Sequence, residues 1–379
     1  MATTILVTGA RGFVGRNLCT FLRTRKDLQL IEVDLDSPPE ILKEGIRGAD
    51  IIFHLAGVNR PCKMEDYASG NWGFTKDLCH QLRAMDRAPA IIFSSSIQAE
   101  SDNPYGASKL RAEEELMGFA EQTNAKVVIF RLKNVFGKWC RPNYNSVVAT
   151  FCYNIAHGMP ISISDAAKRI ELVYVDDVCA AMEEAAGLPD VLTAHLVAPA
   201  AHLYAQVTPV FEITLGELAD TIRSFRESRH SLKIPAFDNA VIGKLYATYL
   251  SYLDGPEFVY ELDVKADPRG HLAEYLKSPS FGQIFISRTK PGITRGNHYH
   301  HTKTEKFLVV QGNAVIRFRH ILESEIIEHR VRGEEFRVVD IPPGYTHSIT
   351  NIGDEELVTL FWANEVFDPE RPDTYFLEV

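Results

Sequence analysis

The sequence predicts a doubly wound α/β domain followed by an all-β double-sheet barrel. A short β-rich run, Thr4 to Thr8, feeds the glycine turn Gly9-Ala10-Arg11-Gly12-Phe13-Val14-Gly15 and then the amphipathic stretch Asn17 to Leu22. Beyond Asp254-Gly255-Pro256 the helical patterns stop, and short apolar runs separated by Gly, Pro and Asp turns take over. At 379 residues the chain is too long for one ordinary core and suits two domains. We place the division at residue 253, with 1–253 as the α/β domain and 254–379 as the barrel.

Composition narrows the partners. With 45% hydrophobic and 24% charged residues the chain reads as a globular, soluble protein. A net charge of −10 argues against nucleic acid or an anionic membrane, while a local pocket can still take an anionic substrate. No signal-like leader is expected, and no apolar run reaches the roughly 18 residues that span a bilayer. Cys19, Cys62, Cys79, Cys140, Cys152 and Cys179 lack Cys-x-x-Cys spacing and read as free thiols of a cytoplasmic protein.

In the first half each element adds to one site. Gly9 makes the turn, Gly12 lets backbone approach a pyrophosphate, and Gly15 lets helix pack on strand. Leu28 to Val33 reads as a second strand ending at Asp34, whose carboxylate could bind an adenosine ribose and favour NAD. Arg11 offers charge to a 2′-phosphate and favours NADP, so the two pull in opposite directions. Asp50 to Gly57 is a buried-strand run whose end, Leu55-Ala56-Gly57, is small enough for a cofactor to lie close. Ala90 to Phe93 is the next strand, with Ser94-Ser95-Ser96 at its end, where parallel sheets present their chemistry. Pro104 suits a first helical turn, and a helix is expected from there to Phe119. Tyr105 and Lys109 share a face of it, so an ammonium together with a nicotinamide cation can lower the phenol's pKa.

This half resembles the extended short-chain dehydrogenase/reductase family, with its Rossmann-type fold. The resemblance implies a catalytic set of Ser96, Tyr105 and Lys109, with Ser95 still open as the serine. Arg131-Leu132-Lys133-Asn134-Val135-Phe136-Gly137 and Val175-Asp176-Asp177-Val178 look like later landmarks of that family, whose substrates are often nucleotide sugars. Asn134 would then lie near the substrate or its diphosphate. Asn59, Arg60, Lys138 and Arg141 are further polar candidates for substrate binding. Helical patterns follow from Leu215 to Phe225 and from Ala240 to Leu253.

In the second half, strands are expected at Val259 to Leu262, Gln283 to Ser287, Phe307 to Val310, Val315 to Phe318, Glu325 to Val331, Phe336 to Ile341 and Leu357 to Trp362. His298 and His300 stand two apart and project from one face of a strand, so they can share a metal ion. Glu305 opens the next apolar run, and His347 follows the turn Pro342-Pro343-Gly344. Three imidazoles and a carboxylate suit zinc or another divalent first-row ion, with a position left for water or a carbonyl oxygen. The segment resembles the two cupin motifs, the second being met by Pro342, Gly344, His347 and Asn351. It departs from them at Phe336, where cupins usually carry Gly.

End to end, including Lys138 to Ser146 and Pro372 to Val379, the chain resembles the bifunctional reductase–cupin enzymes of capsular polysaccharide synthesis. The resemblance implies that a UDP-linked 2-acetamido-2,6-dideoxy-4-hexulose is epimerised at carbon 3 by the cupin domain. The reductase domain then reduces carbon 4 with NADPH to the 6-deoxy-L-talose sugar, on the way to UDP-N-acetyl-L-fucosamine. Asp34 leaves NADH open as the cofactor, and a homodimer is expected by class. A cation beside the ketone would acidify the neighbouring C–H. The base is not fixed by spacing: His301, Lys306, Asp340 and Tyr345 are all near in sequence.

Overall fold

The computed structural model describes residues 2–60, 63–188 and 204–379, so Cys62 lies outside the described residues. The chain divides into two compact units, 1–222 with 243–253 and 223–242 with 254–379.

In the first unit, β1 (Thr3–Thr8), β2 (Leu28–Val33), β3 (Ile51–His54), β4 (Ala90–Ser96), β5 (Val127–Leu132) and β8 (Tyr204–Ala205) form a parallel sheet in the order β2-β1-β3-β4-β5-β8. Side chains of period two divide its core. Ile5, Val7, Phe53 and Phe130 face α1 (Phe13–Leu22) and α7 (Val175–Ala186), where they meet Leu18 and Met182. Leu6, Ile52, Phe93 and Ile129 face the other way, towards α2 (Pro39–Gly48), α4 (Phe74–Ala84) and α5 (Pro104–Thr123). Between β3 and α4, the single turn α3 (Glu65–Tyr67) runs into a π-helical stretch, Ala68–Gly73. A smaller sheet holds β6 (Asn134–Phe136), β7 (Arg169–Tyr174) and β9 (Phe211–Thr214), with α6 (Val147–Ala156) nearby in sequence. The helices α8 (Leu215–Ser231) and α9 (Ala240–Leu250) follow. The strand order reverses between β1 and β3, the switch point outside whose carboxyl ends doubly wound sheets bind their ligands.

In the second unit the named strands all pair antiparallel. One sheet orders β10 (Val264–Asp267), β11 (Gly270–Ser278), β12 (Gly282–Thr289), β19 (Leu357–Ala363), β14 (Glu305–Gln311) and β17 (Val338–Ile341). The other orders β16 (Ile326–Arg332), β15 (Asn313–His320), β18 (Tyr345–Asn351), β13 (Thr294–Tyr299) and β20 (Tyr375–Phe376). Phe307, Val309 and Phe361 from the first meet Ile316, Phe318 and Ile349 from the second, giving the double-sheet core the alternation implies.

Three expectations are corrected. Val259 to Leu262 is not a strand: the 3₁₀ turn Gly255–Phe258, closed by reciprocal Asp254 and Glu257 caps, precedes an exposed segment in which Val259 is 79% accessible. It has no ladder partner among the described residues. The strand expected from Phe336 starts at Val338, because Phe336 itself is left-handed, φ +47. Residues 223–242, placed by sequence in the first domain, group with the barrel, since the backbones of Leu232 and Ile234 both bond to that of Lys277. Among the described residues no helix is long and apolar enough to cross a membrane.

Phe336 shows that the barrel keeps the glycine-type turn without the glycine. A bulky L-residue in that region is strained by about 1–2 kcal/mol, and the ring is 71% exposed, so little packing offsets it. Phe336→Gly is expected to stabilise the protein by ~1 kcal/mol in denaturant titration; a loss of stability would contradict this account of the turn.

Candidate functional site

Two sites emerge, one in each unit. In the first, Gly9 sits at φ +70, where a Cβ would lie 2.7 Å from the Ala56 backbone, so β1 and β3 can approach only with glycine there. A Cβ on Gly15 would collide with the Gly9 carbonyl at 2.1 Å, which fixes the entry of α1 against the turn. Gly12 caps α1 with no side-chain acceptor on the first-turn N–H groups, the arrangement that receives a pyrophosphate. Phe13 and Val14 open the helix, and Leu55-Ala56-Gly57 faces the turn from the end of β3. The Asp34 carboxylate accepts hydrogen bonds from the Arg11 N–H at 2.7 Å and the Leu35 N–H at 2.8 Å, tying the end of β2 to the glycine turn. The Arg11 guanidinium meanwhile pairs with Asp36 at the exposed rim.

The serine left open by the sequence is separated by the pleat. Ser95 points into the sheet's support, where its hydroxyl donates to the buried Glu113, itself held by Arg131 at 2.6 Å and the Tyr204 hydroxyl at 3.0 Å. Ser96 points the other way, towards Tyr105, and its hydroxyl also accepts the Gln98 N–H at 3.2 Å. Lys109 is buried, its ammonium donating to the Ser94 carbonyl at 2.9 Å, and a Cβ on Gly57 would press on it at 3.0 Å. Burial pushes the Tyr105 phenol up to about 12 while the Ser96 contact pulls it back, and burial brings Lys109 down to about 8. The lowering of the phenol expected from Lys109 is therefore not produced by the protein groups alone: enclosure dominates.

The polar candidates divide. Arg60 donates its N–H to the Tyr144 hydroxyl at 3.2 Å, and Arg141 lies over the Tyr144 ring at 5.0 Å. The Asn59 carbonyl accepts from Tyr67, whose ring lies 5.8 Å from that of Tyr105, so Tyr67 links Asn59 to Tyr105. Lys138 is drawn away to Asp176 at 2.5 Å, and the Asn134 amide is spent on the Glu171 carbonyl at 3.0 Å, bridging β6 to β7.

In the barrel, His298 on β13 stands opposite His347 on β18, and Gly296 and Asn297, both at positive φ, make the bulge that sets that register. His300 follows one step past β13, and Glu305 opens β14. Ligand atoms of His298, His300, Glu305 and His347 all lie within 4.8 Å of one another. Glu305 Oε2 is 3.5 Å from Nε2 of both His300 and His347, too long for good hydrogen bonds. Two ligands each ~2.1 Å from a tetrahedral ion lie about 3.4 Å apart, so the spacing fits a shared cation. Both Nε2 atoms are buried without a hydrogen-bond partner, which a first-row divalent ion would supply. Burial works to raise the Glu305 carboxyl, but His300 and His347 outweigh it and bring it to about 2. Burial, with His347 and His300, brings His298 down to about 4, the neutral form a metal needs.

Of the four candidate bases, Lys306 and Asp340 pair with each other on the outer face, and His301 packs beside Tyr375. Tyr345 faces inward on the His347 side of β18 and packs on the barrel core, its ring 5.0 Å from His320. Sequence reading missed His320, although its place two beyond Phe318 on β15 gives the same face. It also missed Asn71, which the π-helical stretch turns inward to bind the Val58 backbone at 2.9 Å and the Ser108 hydroxyl at 2.9 Å. His54, buried between Thr8 and Thr75 hydroxyls and pushed down to about 3 by burial and then by Lys109, was missed as well.

Residues 5–193 match the NAD dependent epimerase/dehydratase family, and residues 265–375 match the polysaccharide biosynthesis C-terminal domain. The chain is 46% identical over 375 residues to a UDP-2-acetamido-2,6-beta-L-arabino-hexul-4-ose reductase of Pseudomonas aeruginosa, covering 99% of this chain and 98% of that one. The crystal structure of the capsular polysaccharide assembling protein CapF from Staphylococcus aureus superposes with a TM-score of 0.90 at 47% identity, covering 99% of this chain and 100% of that one. A UDP-glucuronic acid 4-epimerase of Bacillus cereus, solved with NAD, shares only the fold: TM-score 0.54 at 16% identity over 66% of this chain and 98% of that one.

The two depressed imidazoles set a pH response. His54 and His298 take up protons more readily unfolded than folded, so their contribution to stability is whole above the ordinary imidazole pKa of about 6.5 and falls away as pH drops through it towards the folded values. Chelator-treated protein should unfold at lower denaturant at about pH 5 than at about pH 7.5; an unchanged or higher midpoint would contradict the assignment of both rings as buried and neutral.

Proposed function

The chain belongs to the family of the Pseudomonas hexul-4-ose reductase and the staphylococcal CapF, and from that premise we propose a bifunctional enzyme of UDP-N-acetyl-L-fucosamine synthesis. Its barrel epimerises carbon 3 of a UDP-linked 2-acetamido-2,6-dideoxy-4-hexulose, and its α/β unit reduces carbon 4 with NADPH to the L-talose sugar. The observation that carries this is the presence, in one chain, of the Ser96–Tyr105 contact beside buried Lys109 and of a four-residue cluster with two orphaned imidazole nitrogens.

In the α/β unit the glycine turn and the bare end of α1 receive the cofactor's diphosphate, with Leu55, Ala56 and Gly57 along its length. The nicotinamide supplies the hydride. Ser96 holds the ketone oxygen, and Tyr105 delivers the proton that oxygen needs as carbon 4 is reduced. A phenol at about 12 is a reluctant donor only to weak bases; the alkoxide formed on reduction is a stronger base, so transfer runs downhill. Lys109 holds charge beneath the site through Ser94. Asn59, Arg60 and Arg141 bind the nucleotide sugar, while Asn134 and Lys138 act only through the Glu171 and Asp176 contacts that hold them. Asp34, committed to two backbone N–H groups, leaves the exposed Arg11 to exchange Asp36 for a 2′-phosphate, which favours NADPH over NADH.

In the barrel His298, His300, Glu305 and His347 would hold zinc or a similar ion, which would supply positive charge to the substrate carbonyl. Tyr345 and His320 stand on the inner face near that cluster and move the proton: carbon 3 gives it up on one face, the adjacent carbonyl takes the electron pair, and a proton returns on the other face. The five described cysteines, free and buried, suit a cytoplasmic enzyme, and a homodimer is part of the same proposal.

Tyr105→Phe should lower the rate of NADPH oxidation with the ketosugar by about 10²-fold or more while NADPH still binds; a near-normal rate would remove Tyr105 from the chemistry. Arg11→Ala should raise KM for NADPH about tenfold and leave that for NADH nearly unchanged; an equal effect on both would return the 2′-phosphate to another group. In heavy water the wild type should exchange carbon-3 hydrogen, His300→Ala should not, and Tyr345→Phe should slow by about 10²-fold. Absence of exchange in the wild type, with reduction intact, would assign the barrel a structural role.

A further inference from the structure

The terminal Pro372 to Val379 segment has no part in the chemistry above, yet it is laid across both halves of the His-x-His motif. Phe376 and Tyr375 pair with His298 and Tyr299, adding β20 to the edge of β13. Leu377 donates its N–H to the Asn297 carbonyl at 3.0 Å, within the bulge that sets the His298 register. Asp373 does more. Its carbonyl accepts from His300 Nδ1 at 2.6 Å, which fixes that nitrogen as the protonated one and leaves Nε2 bare towards Glu305. Its carboxylate accepts the backbone N–H of His301 at 3.0 Å, of Thr302 at 2.9 Å and of Lys303 at 2.8 Å, and the Thr302 hydroxyl at 3.0 Å. The turn that joins the His300 ligand to the Glu305 ligand is thus wrapped around one side chain. The buried Lys303 ammonium closes the strap from the other side, donating to the Pro372 carbonyl at 2.7 Å. Asp373 itself sits at φ +38, a left-handed conformation that an aspartate tolerates when its neighbours hold it there.

We infer that Asp373 is a positioning residue for the barrel's metal ligands, and that the C-terminal strap is the outer layer that sets cation affinity. It touches neither substrate nor ion. By holding the His300 ring in one tautomer and the 301–303 turn in one shape, it fixes the separation of His300 from Glu305, and outer partners of this kind are worth about 10–100-fold in metal affinity.

The inference rests on the metal reading of the barrel, so the test measures zinc itself. Full-length wild type, Asp373→Asn, Asp373→Ala, Thr302→Val and Glu305→Gln are compared by zinc competition against a chromophoric chelator and by the visible spectrum of the cobalt-substituted protein. Metal-free circular dichroism and melting control for folding. Asp373→Asn and Asp373→Ala should bind zinc about tenfold or more weakly and alter the cobalt bands, and Thr302→Val, which removes a single donor, should show a smaller loss. Zinc affinity and cobalt bands like those of wild type in both Asp373 variants would overturn the inference, including when metal-free melting falls, since that is the mark of a merely structural strap. A wild type that binds zinc no better than Glu305→Gln would instead overturn the metal reading beneath it.

Discussion

The barrel is organised around a carboxylate taken out of water. Glu305 is 9% exposed, and the groups closest to its charge are two imidazole nitrogens that make no hydrogen bond of their own. A buried anion of this kind costs several kcal/mol unless it is compensated. His300 and His347, each 3.5 Å away, outweigh the cost of burial and hold the carboxylate ionised, and with His298 they frame a space whose dimensions fit a divalent cation. The bulge at Asn297, the pairing of His298 with His347 and the grip of Asp373 on the 301–303 turn all bear on the same few ångströms.

The α/β unit solves the converse problem, keeping a cation buried beneath a phenol. Lys109 is enclosed against the Phe93 ring at 4.9 Å and given one carbonyl, that of Ser94. A second buried charge, Glu113, is neutralised by Arg131 and capped by the Ser95 and Tyr204 hydroxyls, and it anchors the strand end from which Ser96 emerges. Ser95 and Ser96 therefore have opposite duties because the strand alternates. The glycines serve the same end by letting β1, β3 and α1 close to distances that a Cβ would forbid.

Much of this was legible because its signals are local or periodic. The His-x-His pair, the carboxylate at the next strand's start and the His after a rigid turn need only period two to converge. The glycine turn and the Tyr105–Lys109 spacing need only a strand followed by a helix. What could not be read depends on partners remote in the chain. Nothing near Lys138 announces Asp176, nothing near Ser95 announces Glu113, and nothing near His300 announces Asp373. Val259 to Leu262 has a strand's composition but no neighbour to pair with among the described residues, while Phe336 holds a glycine's conformation that its side chain disguises. The grouping of 223–242 with the barrel was hidden likewise, because it rests on backbone bonds to Lys277.

The most direct test of the central claim is an anomalous-scattering map recorded at the zinc edge from crystals of the wild-type protein grown with zinc. The account predicts one strong peak inside the barrel, at about 2.0–2.2 Å from a nitrogen of His298, His300 and His347 and from an oxygen of Glu305. A barrel with no peak, those nitrogens bonded to water instead, or a peak held by other residues would contradict it.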